Sequence, residues 1–556
     1  MDKRYPLLFA LLALLFFVPG LGGVHLFDWD EVNFAEISRE MLVLDDYLRV
    51  HVNFKPFWEK PPFFFWLQSL AMHLFGVGEF AARLPNALCG VLTLPLLYQM
   101  GRKMYDTRFG IIWAGAYFGS VLPFLYFKSG IIDPWFNLFI FLGLYYFILF
   151  YWKKDGVAGM PLTWNRWSYL FAGGLIVGMG VLTKGPVAFL LAALTMGVYW
   201  VYRRFRFYVG VHHFLVFAVA ASLVTLAWYG LETLRHGPWF INEFNRYQYR
   251  LFSTPDAGHK GFPGYHFVVL LLGCFPASVF AVRAFFRMPA EENEQRADFR
   301  RWMKMLFWVV LILFTIVKSK IVHYSSMCYF PLTFLAALAV YRISRREVPF
   351  HPALQVLMVL IGGIYLVATL GLPLLMPHAE ALGQVFKDPF AQATLEADVD
   401  WSGWTLLPGA FLLLLLVWFF WTYHQGKKDQ AFVQLFGGMG VFVMLTLYFI
   451  IGRVEAYSQR AAVEFFQEKS TEDAYLIPHG YKSYVHLFYG NKQPPANEKS
   501  YDKEWLLRGA VDKDVYVCTK VHKAHQMAEI PGMVEIGRKN GFVFFRRAAV
   551  PADAGQ

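Results

Sequence analysis

The sequence predicts an all-α, polytopic membrane domain of about thirteen transmembrane helices, followed by a small C-terminal α/β domain outside the membrane. Three observations carry this. The 556-residue chain is 57% apolar and 19% aromatic with only 16% charged residues, too hydrophobic for a soluble protein of its length. Apolar runs of about 17 to 25 residues, long enough for a helix to cross a bilayer, recur along most of it. The basic residues fall in short clusters between those runs, as in cytoplasmic loops. The net charge of +11 therefore reflects membrane orientation and does not point to nucleic acid.

Tyr5 to Leu21 follows Lys3 and Arg4 and lacks a small-x-small cleavage site, so it is expected to stay as a helix. The basic clusters are Arg102-Lys103 with Arg108, Lys153-Lys154 with Arg166, Arg203-Arg204 with Arg206, Arg296 to Lys304, Arg342 with Arg345-Arg346, and Lys427-Lys428. Placing each inside gives helices near 5–22, 83–101, 109–127, 134–151, 167–182, 186–202, 212–230, 264–286, 305–317, 326–341, 353–376, 404–422 and 431–451. Counting Pro61 to Phe75 as a further span would put the later basic clusters outside. This stretch is also short and opens Pro-Pro. It is read as lying flat at the outer interface beside an amphipathic helix from about Val32 to Leu44, so that 23–82 forms a first external loop.

Beyond the membrane domain, 1–452, the character changes. In 453–556 the runs Ala474 to Ile477, Asp514 to Val517 and Phe542 to Phe545 read as strands. Ser483 to Tyr489 reads as a helix, and Lys539-Asn540-Gly541 as a hairpin turn. Of four cysteines, Cys89, Cys274 and Cys328 lie in apolar segments and Cys518 in a polar one; no disulfide or zinc spacing emerges.

The stretch Asp28 to Met41 places five carboxylates within 13 residues, directly after the first helix. With the predicted topology, Asp30 and Glu31 share the outer face with Glu59-Lys60, Asp133, Lys184, and Lys318, Lys320, His323 and Tyr324. Interfacial charges often only anchor helix ends, but one cavity facing the outer leaflet accounts for all of these turns together. Its carboxylates can take a proton from an attacking hydroxyl while its lysines neutralise a departing phosphate. That chemistry suits sugar transfer from a polyprenyl-phosphate donor. Asp30 is the expected base, with Glu31, Glu59 and Asp133 orienting base or acceptor. Lys60, Lys184 and Lys318 or Lys320 hold the phosphate, and Tyr324 donates to it. A single carboxylate base suits direct displacement with inversion. The loop 231–263 adds Arg246, Arg250 and His259 as a candidate lid over the substrate. No cofactor is required, although Asp30, Glu59 and Asp133 offer oxygens to a divalent cation. A transporter or flippase of a lipid-linked sugar is the rival reading, since it too needs charges with lipid access; a tail serving as a binding module for a secreted glycan is a third.

Several motifs carry a family resemblance. They are Asp30-Glu31 followed by Phe34 to Met41, Phe57 to Pro62, Asp133-Pro134, Gly178 to Gly185, Asp256 to Lys260, and Lys318 to Lys320 ahead of Tyr324. Together they resemble the lipid A aminoarabinose transferases, within the protein O-mannosyltransferase-like GT-C glycosyltransferases. The resemblance implies a bacterial inner-membrane enzyme using an undecaprenyl-phosphate-linked sugar, with its active site and C-terminal domain facing the periplasm. The acceptor would be lipid A, another envelope glycan or a protein. It places Asp30 at the family's catalytic position, and Glu59, Lys60, Asp133, Lys184 and Tyr324 on the cavity wall. The chain departs from the pattern at Asn33, where those transferases carry arginine, at Gln248, where they carry histidine, and at Ile321-Val322-His323, where they carry Leu-Pro-Thr.

Overall fold

A computed structural model describes residues 4–254, 261–383 and 386–550. All thirteen predicted segments are helical, and among the described residues eight helices are long and apolar enough to cross a membrane. The chain is thus a multi-pass membrane protein. Two predicted segments are interrupted. Segment 109–127 is Thr107–Phe118 plus Val121–Tyr126, broken at Gly119, where a side chain would meet the Phe436 carbonyl at 2.3 Å. Segment 264–286 is Tyr265–Gly273 plus Ala277–Phe285, separated around Pro276, whose ring cannot join a continuous helix. Segment 305–317 is the apolar half of Glu294–Ile316, whose basic first half was expected to be a loop. That half starts at an Asn293 cap, whose side chain accepts from Arg296 N–H, and Arg296 and Arg300 pair with Glu292 and Glu291.

The first loop forms a shelf of two helices. Phe63–Phe75, at 13 residues, is too short to cross a bilayer. It packs against Asp30–Leu44 and Glu79–Met104. The expectation of a half-wetted amphipathic helix near Val32–Leu44 needs correction, because eleven consecutive residues, Glu31 to Met41, are buried. Polar positions survive there because they are paired: Ser38 Oγ donates to Gln68, and Ser69 Oγ to the Ser38 carbonyl. Between the two helices a hairpin pairs β1 (His51–Val52) with β2 (Lys55–Pro56). Its turn residues Asn53 and Phe54 have φ of 56° and 57°.

The C-terminal domain has one four-stranded sheet: β3 (Tyr475–His479), β4 (Val515–Lys520), β5 (Met533–Lys539) and β6 (Phe542–Arg547), in the order β3-β4-β6-β5. β3 runs parallel to β4 and the other pairs are antiparallel. Strand alternation splits the sheet's faces. Val515 and Val517 pack with Leu506, Met527 and Phe545 in a core of the domain's own. Tyr516, Cys518 and Phe544 face helix Arg460–Lys469 and join the core that runs into the membrane domain. Cys518, in a polar stretch of sequence, is therefore buried, and all four cysteines are free. The β5–β6 turn has Asn540 and Gly541 at φ 47° and 80°, as a two-residue hairpin requires.

This domain docks on the shelf helix through buried charge. Arg39 forks onto Glu36 at 2.7 and 2.8 Å and reaches Asn491 and the Lys492 carbonyl. Lys492 donates to Asn53 at 2.6 Å. Glu40 accepts from Phe54 N–H at 2.9 Å. Burial pushes the Glu40 carboxyl up to about 9, neighbouring Glu36 adds to the rise, and Phe54 N–H and Arg39 only partly oppose it. Glu40 is thus protonated in the folded chain over a range where it ionises when unfolded. Stability is full near the ordinary glutamate range and declines as pH rises toward 9. The midpoint of thermal unfolding in detergent should fall between pH 5 and pH 9, and less steeply in Glu40→Gln; parallel profiles for the two proteins would refute this.

Candidate active site

A cavity of about 1100 Å³ opens between the shelf, the end of the first helix, helix Trp239–Ser253, and the C-terminal domain. Asp30, Glu31, Glu59, Lys60 and Arg250 line it, as do His323, Lys128, Lys482 and Tyr484. Met444, Leu447 and Ile451 form an apolar wall.

Asp30 is the first residue of helix Asp30–Leu44, where unpaired N–H groups favour negative charge. Its side chain is 48% exposed and faces His323, with Oδ2 3.4 Å from Nε2. The other ring nitrogen of His323 lies 2.8 Å from the Tyr126 hydroxyl. Being set among protein groups would raise the Asp30 carboxyl, but His323, Lys60 and Lys184 outweigh this and hold it below the usual aspartate value. Asp30 is therefore an ionised carboxylate open to the cavity.

Glu31 has a different environment. Arg83 forks onto it at 3.1 and 2.8 Å, and Phe27 and Gly130 donate backbone N–H bonds at 2.9 and 2.6 Å. Burial raises its carboxyl, and Arg83 with the two amides more than compensates, so it too is held low. With four donors on two oxygens, Glu31 acts as a structural anchor. Arg83 sits within an apolar run of the sequence and gave no functional signal there.

Asp133 starts helix Asp133–Asp155 and is buried, with Lys184 Nζ at 2.6 Å. Ser326 Oγ donates to it at 3.4 Å. Lys184 also approaches the rings of Phe136 and Tyr324, at 5.4 and 6.0 Å. Asp133, Lys184 and Tyr324 thus group behind His323 and do not line the cavity.

The cavity's cations gather elsewhere. Lys60 Nζ and the Arg250 guanidinium lie 5.0 and 5.2 Å from the ring centre of Tyr247, which also lines the cavity. Arg246 is 79% exposed and pairs with Glu243. Lys318 is exposed. Lys320 is buried and donates to the carbonyls of Phe314, Thr315 and Val317, satisfying the open end of helix Glu294–Ile316. His259 lies outside the described residues. Among those described, no three His, Cys, Asp or Glu side chains are grouped to hold a metal ion.

The helices put this cavity at one end of the bundle. Helix Glu79–Met104 carries Arg83 beside Glu31 and Arg102-Lys103 in its last turn. At 1.5 Å per residue the 19 positions from Arg83 to Arg102 span roughly 30 Å. Glu291 collects Arg300 and Arg342, and Tyr105 beside that last turn reaches the same carboxylate.

Comparison with known proteins agrees with this architecture. The family model described as dolichyl-phosphate-mannose-protein mannosyltransferase matches residues 59–228. An undecaprenyl phosphate-α-4-amino-4-deoxy-L-arabinose arabinosyl transferase from Erwinia tasmaniensis is 28% identical over 343 residues, 60% of this chain and 59% of that protein. Its counterpart from Pectobacterium atrosepticum is 25% identical over 78% of this chain and 74% of its own length. The crystal structure of ArnT from Cupriavidus metallidurans bound to undecaprenyl phosphate superposes with a TM-score of 0.78. It is 18% identical and covers 99% of this chain and 100% of that one. The chain thus shares the fold of the ArnT structure and is similar in sequence to the aminoarabinose transferases, spanning about three-fifths of the Erwinia protein's length.

Proposed function

We propose that the protein transfers a sugar from an undecaprenyl-phosphate donor to an acceptor hydroxyl at the outer face of the bacterial inner membrane. The observation that carries this reading is one cavity holding an ionised, accessible Asp30 together with Lys60 and Arg250. In the reaction the acceptor oxygen attacks the anomeric carbon. The carbon–oxygen bond to the lipid phosphate breaks with its electron pair leaving on the phosphate, and the acceptor proton passes to Asp30. Lys60 and Arg250 neutralise the phosphate as its charge grows. A single carboxylate acting as base favours direct displacement and inversion. The cationic pair supplies the charge a divalent cation would otherwise bring, so the reading calls for no cofactor. Glu31 maintains the wall, while Asp133 and Lys184 set the field behind His323. Lipid A is the acceptor we favour because relatives are named for the aminoarabinose donor. The basic helix ends lie opposite the cavity, which supports a periplasmic site.

Purified protein in detergent, given radiolabelled undecaprenyl-phosphate aminoarabinose and lipid A, tests the assignment. Asp30→Asn should lower kcat by at least ~100-fold, the range of general-base loss, at unchanged expression. A fully active Asp30→Asn would remove the mechanism. Lys60→Ala or Arg250→Ala should raise the donor KM by about tenfold or more, as loss of a charge-assisted bond does. Arg246→Ala should leave it near wild type, because that side chain does not line the cavity; an equal effect at all three positions would break the phosphate assignment.

A further inference from the structure

The turn that delivers Asp30 is held from more than 400 positions away. Trp29 has φ 78° and ψ −105°. For a bulky residue such a conformation costs on the order of 1–3 kcal/mol and lasts only where the surroundings over-determine it. The residues before it show what does so. Leu26 N–H donates to the Tyr489 hydroxyl at 2.7 Å. Asp28 N–H donates to Gln459 Oε1 at 2.9 Å, and Gln459 Nε2 donates to the Leu26 carbonyl at 2.8 Å. Tyr484 N–H donates to Asp28 Oδ1 at 3.1 Å, and the same oxygen accepts from Trp29 N–H at 2.8 Å. His25 lies 3.0 Å from buried Glu455. Gln459 therefore brackets residues 26–28 with both ends of its amide, as a neighbouring strand's peptide group would.

We propose that the C-terminal segment from Glu455 to Tyr489 is a working part of the catalytic site, with Gln459 the positioning residue that fixes Asp30 toward the acceptor. This rests on the reading of Asp30 as the base. The link is short: Gln459 holds Asp28, Trp29 is locked in its left-handed turn, and Asp30 opens the helix one residue later. Freed of both amide bonds, residues 26–29 can relax toward ordinary backbone angles and carry the Asp30 carboxylate off its line with His323. A shift of about 1 Å in a reacting group costs on the order of 100-fold in rate. The donor phosphate is assigned to Lys60 and Arg250, which lie on other elements than this turn. The tail is thus coupled to turnover and not to donor affinity.

The test uses full-length protein with two readouts. Gln459→Leu removes both amide bonds at similar volume, and Gln459→Glu restores the acceptor for Asp28 N–H alone. Tyr501→Phe breaks a different bond between tail and shelf, Tyr501 hydroxyl to the Asn53 carbonyl. Gln459→Leu should lower kcat by roughly ten- to 100-fold with donor KM within about twofold, and should speed hydrogen exchange in peptides covering 25–34. Gln459→Glu should fall between Gln459→Leu and wild type, and Tyr501→Phe should match wild type in both. Faster exchange at 25–34 with undiminished kcat would overturn the proposal, as would an equal loss of kcat in Tyr501→Phe. Absence of transfer by the wild type would refute the assigned activity instead. Exchange would then still report on Gln459, and unchanged exchange in Gln459→Leu would overturn its positioning role.

Discussion

The buried pair of Glu31 and Arg83 is the contact on which the rest of the cavity end of the bundle depends. Taking two such charges out of water costs several kcal/mol each, recovered only where geometry and further hydrogen bonds are complete. Here they are. Glu31 receives four donors, and Arg83 also reaches the carbonyls of Leu21, Val24 and His25. One pair thereby ties the end of the first helix, the start of the shelf helix, the Gly130 turn and helix Glu79–Met104. Removing either partner leaves a bare buried charge, a loss of about 3–5 kcal/mol. Asp30 is adjacent in sequence, so the cavity wall that carries it inherits the rigidity of this anchor.

The same rule, charge buried only where it is matched, organises the opposite end. Asp298 sits among aromatic rings yet accepts from Tyr151, Trp152 and Tyr199 at 2.6, 2.9 and 2.6 Å. Tyr199 in turn stacks on Trp302 with ring centres 4.3 Å apart. Glu291 is shared by Arg300 and Arg342. These networks are closed and hold helices together. The cavity differs in leaving Asp30 half open, and that contrast is the strongest structural sign that it serves chemistry.

Much of this was legible in the sequence because helix length and charge clustering are local. Each apolar run announced a helix, and Asp30, Glu59 and Lys60 fell in the expected cavity. What failed to show depended on contacts between distant segments. His323 lies 293 positions from Asp30, and no local pattern separates it from an interfacial histidine. Lys320 looked like a phosphate ligand because its neighbours suggested one, but a helix end with open carbonyls claimed it. β5 was missed because Glu535, Arg538 and Lys539 mask its alternation, as charges on an edge strand do. Burial of Glu36 and Glu40 in the shelf helix required knowing that Asn491 and Lys492 would cover them.

The two acidic helix starts, Asp30 and Asp133, explain how one site can be negative and positive at once. Each is the first residue of a helix, where the free N–H groups favour negative charge. Lys184 is committed to Asp133 at 2.6 Å and His323 to Asp30 at 3.4 Å. A phosphate arriving in the cavity would have to displace a carboxylate to recruit either. Lys60 instead lies beside the ring of Tyr247. A cation resting on an aromatic face gives up far less than one leaving a salt bridge. On the proposed mechanism that difference separates base from phosphate site, with the paired Lys184 shaping the field and Lys60 placed to meet the donor.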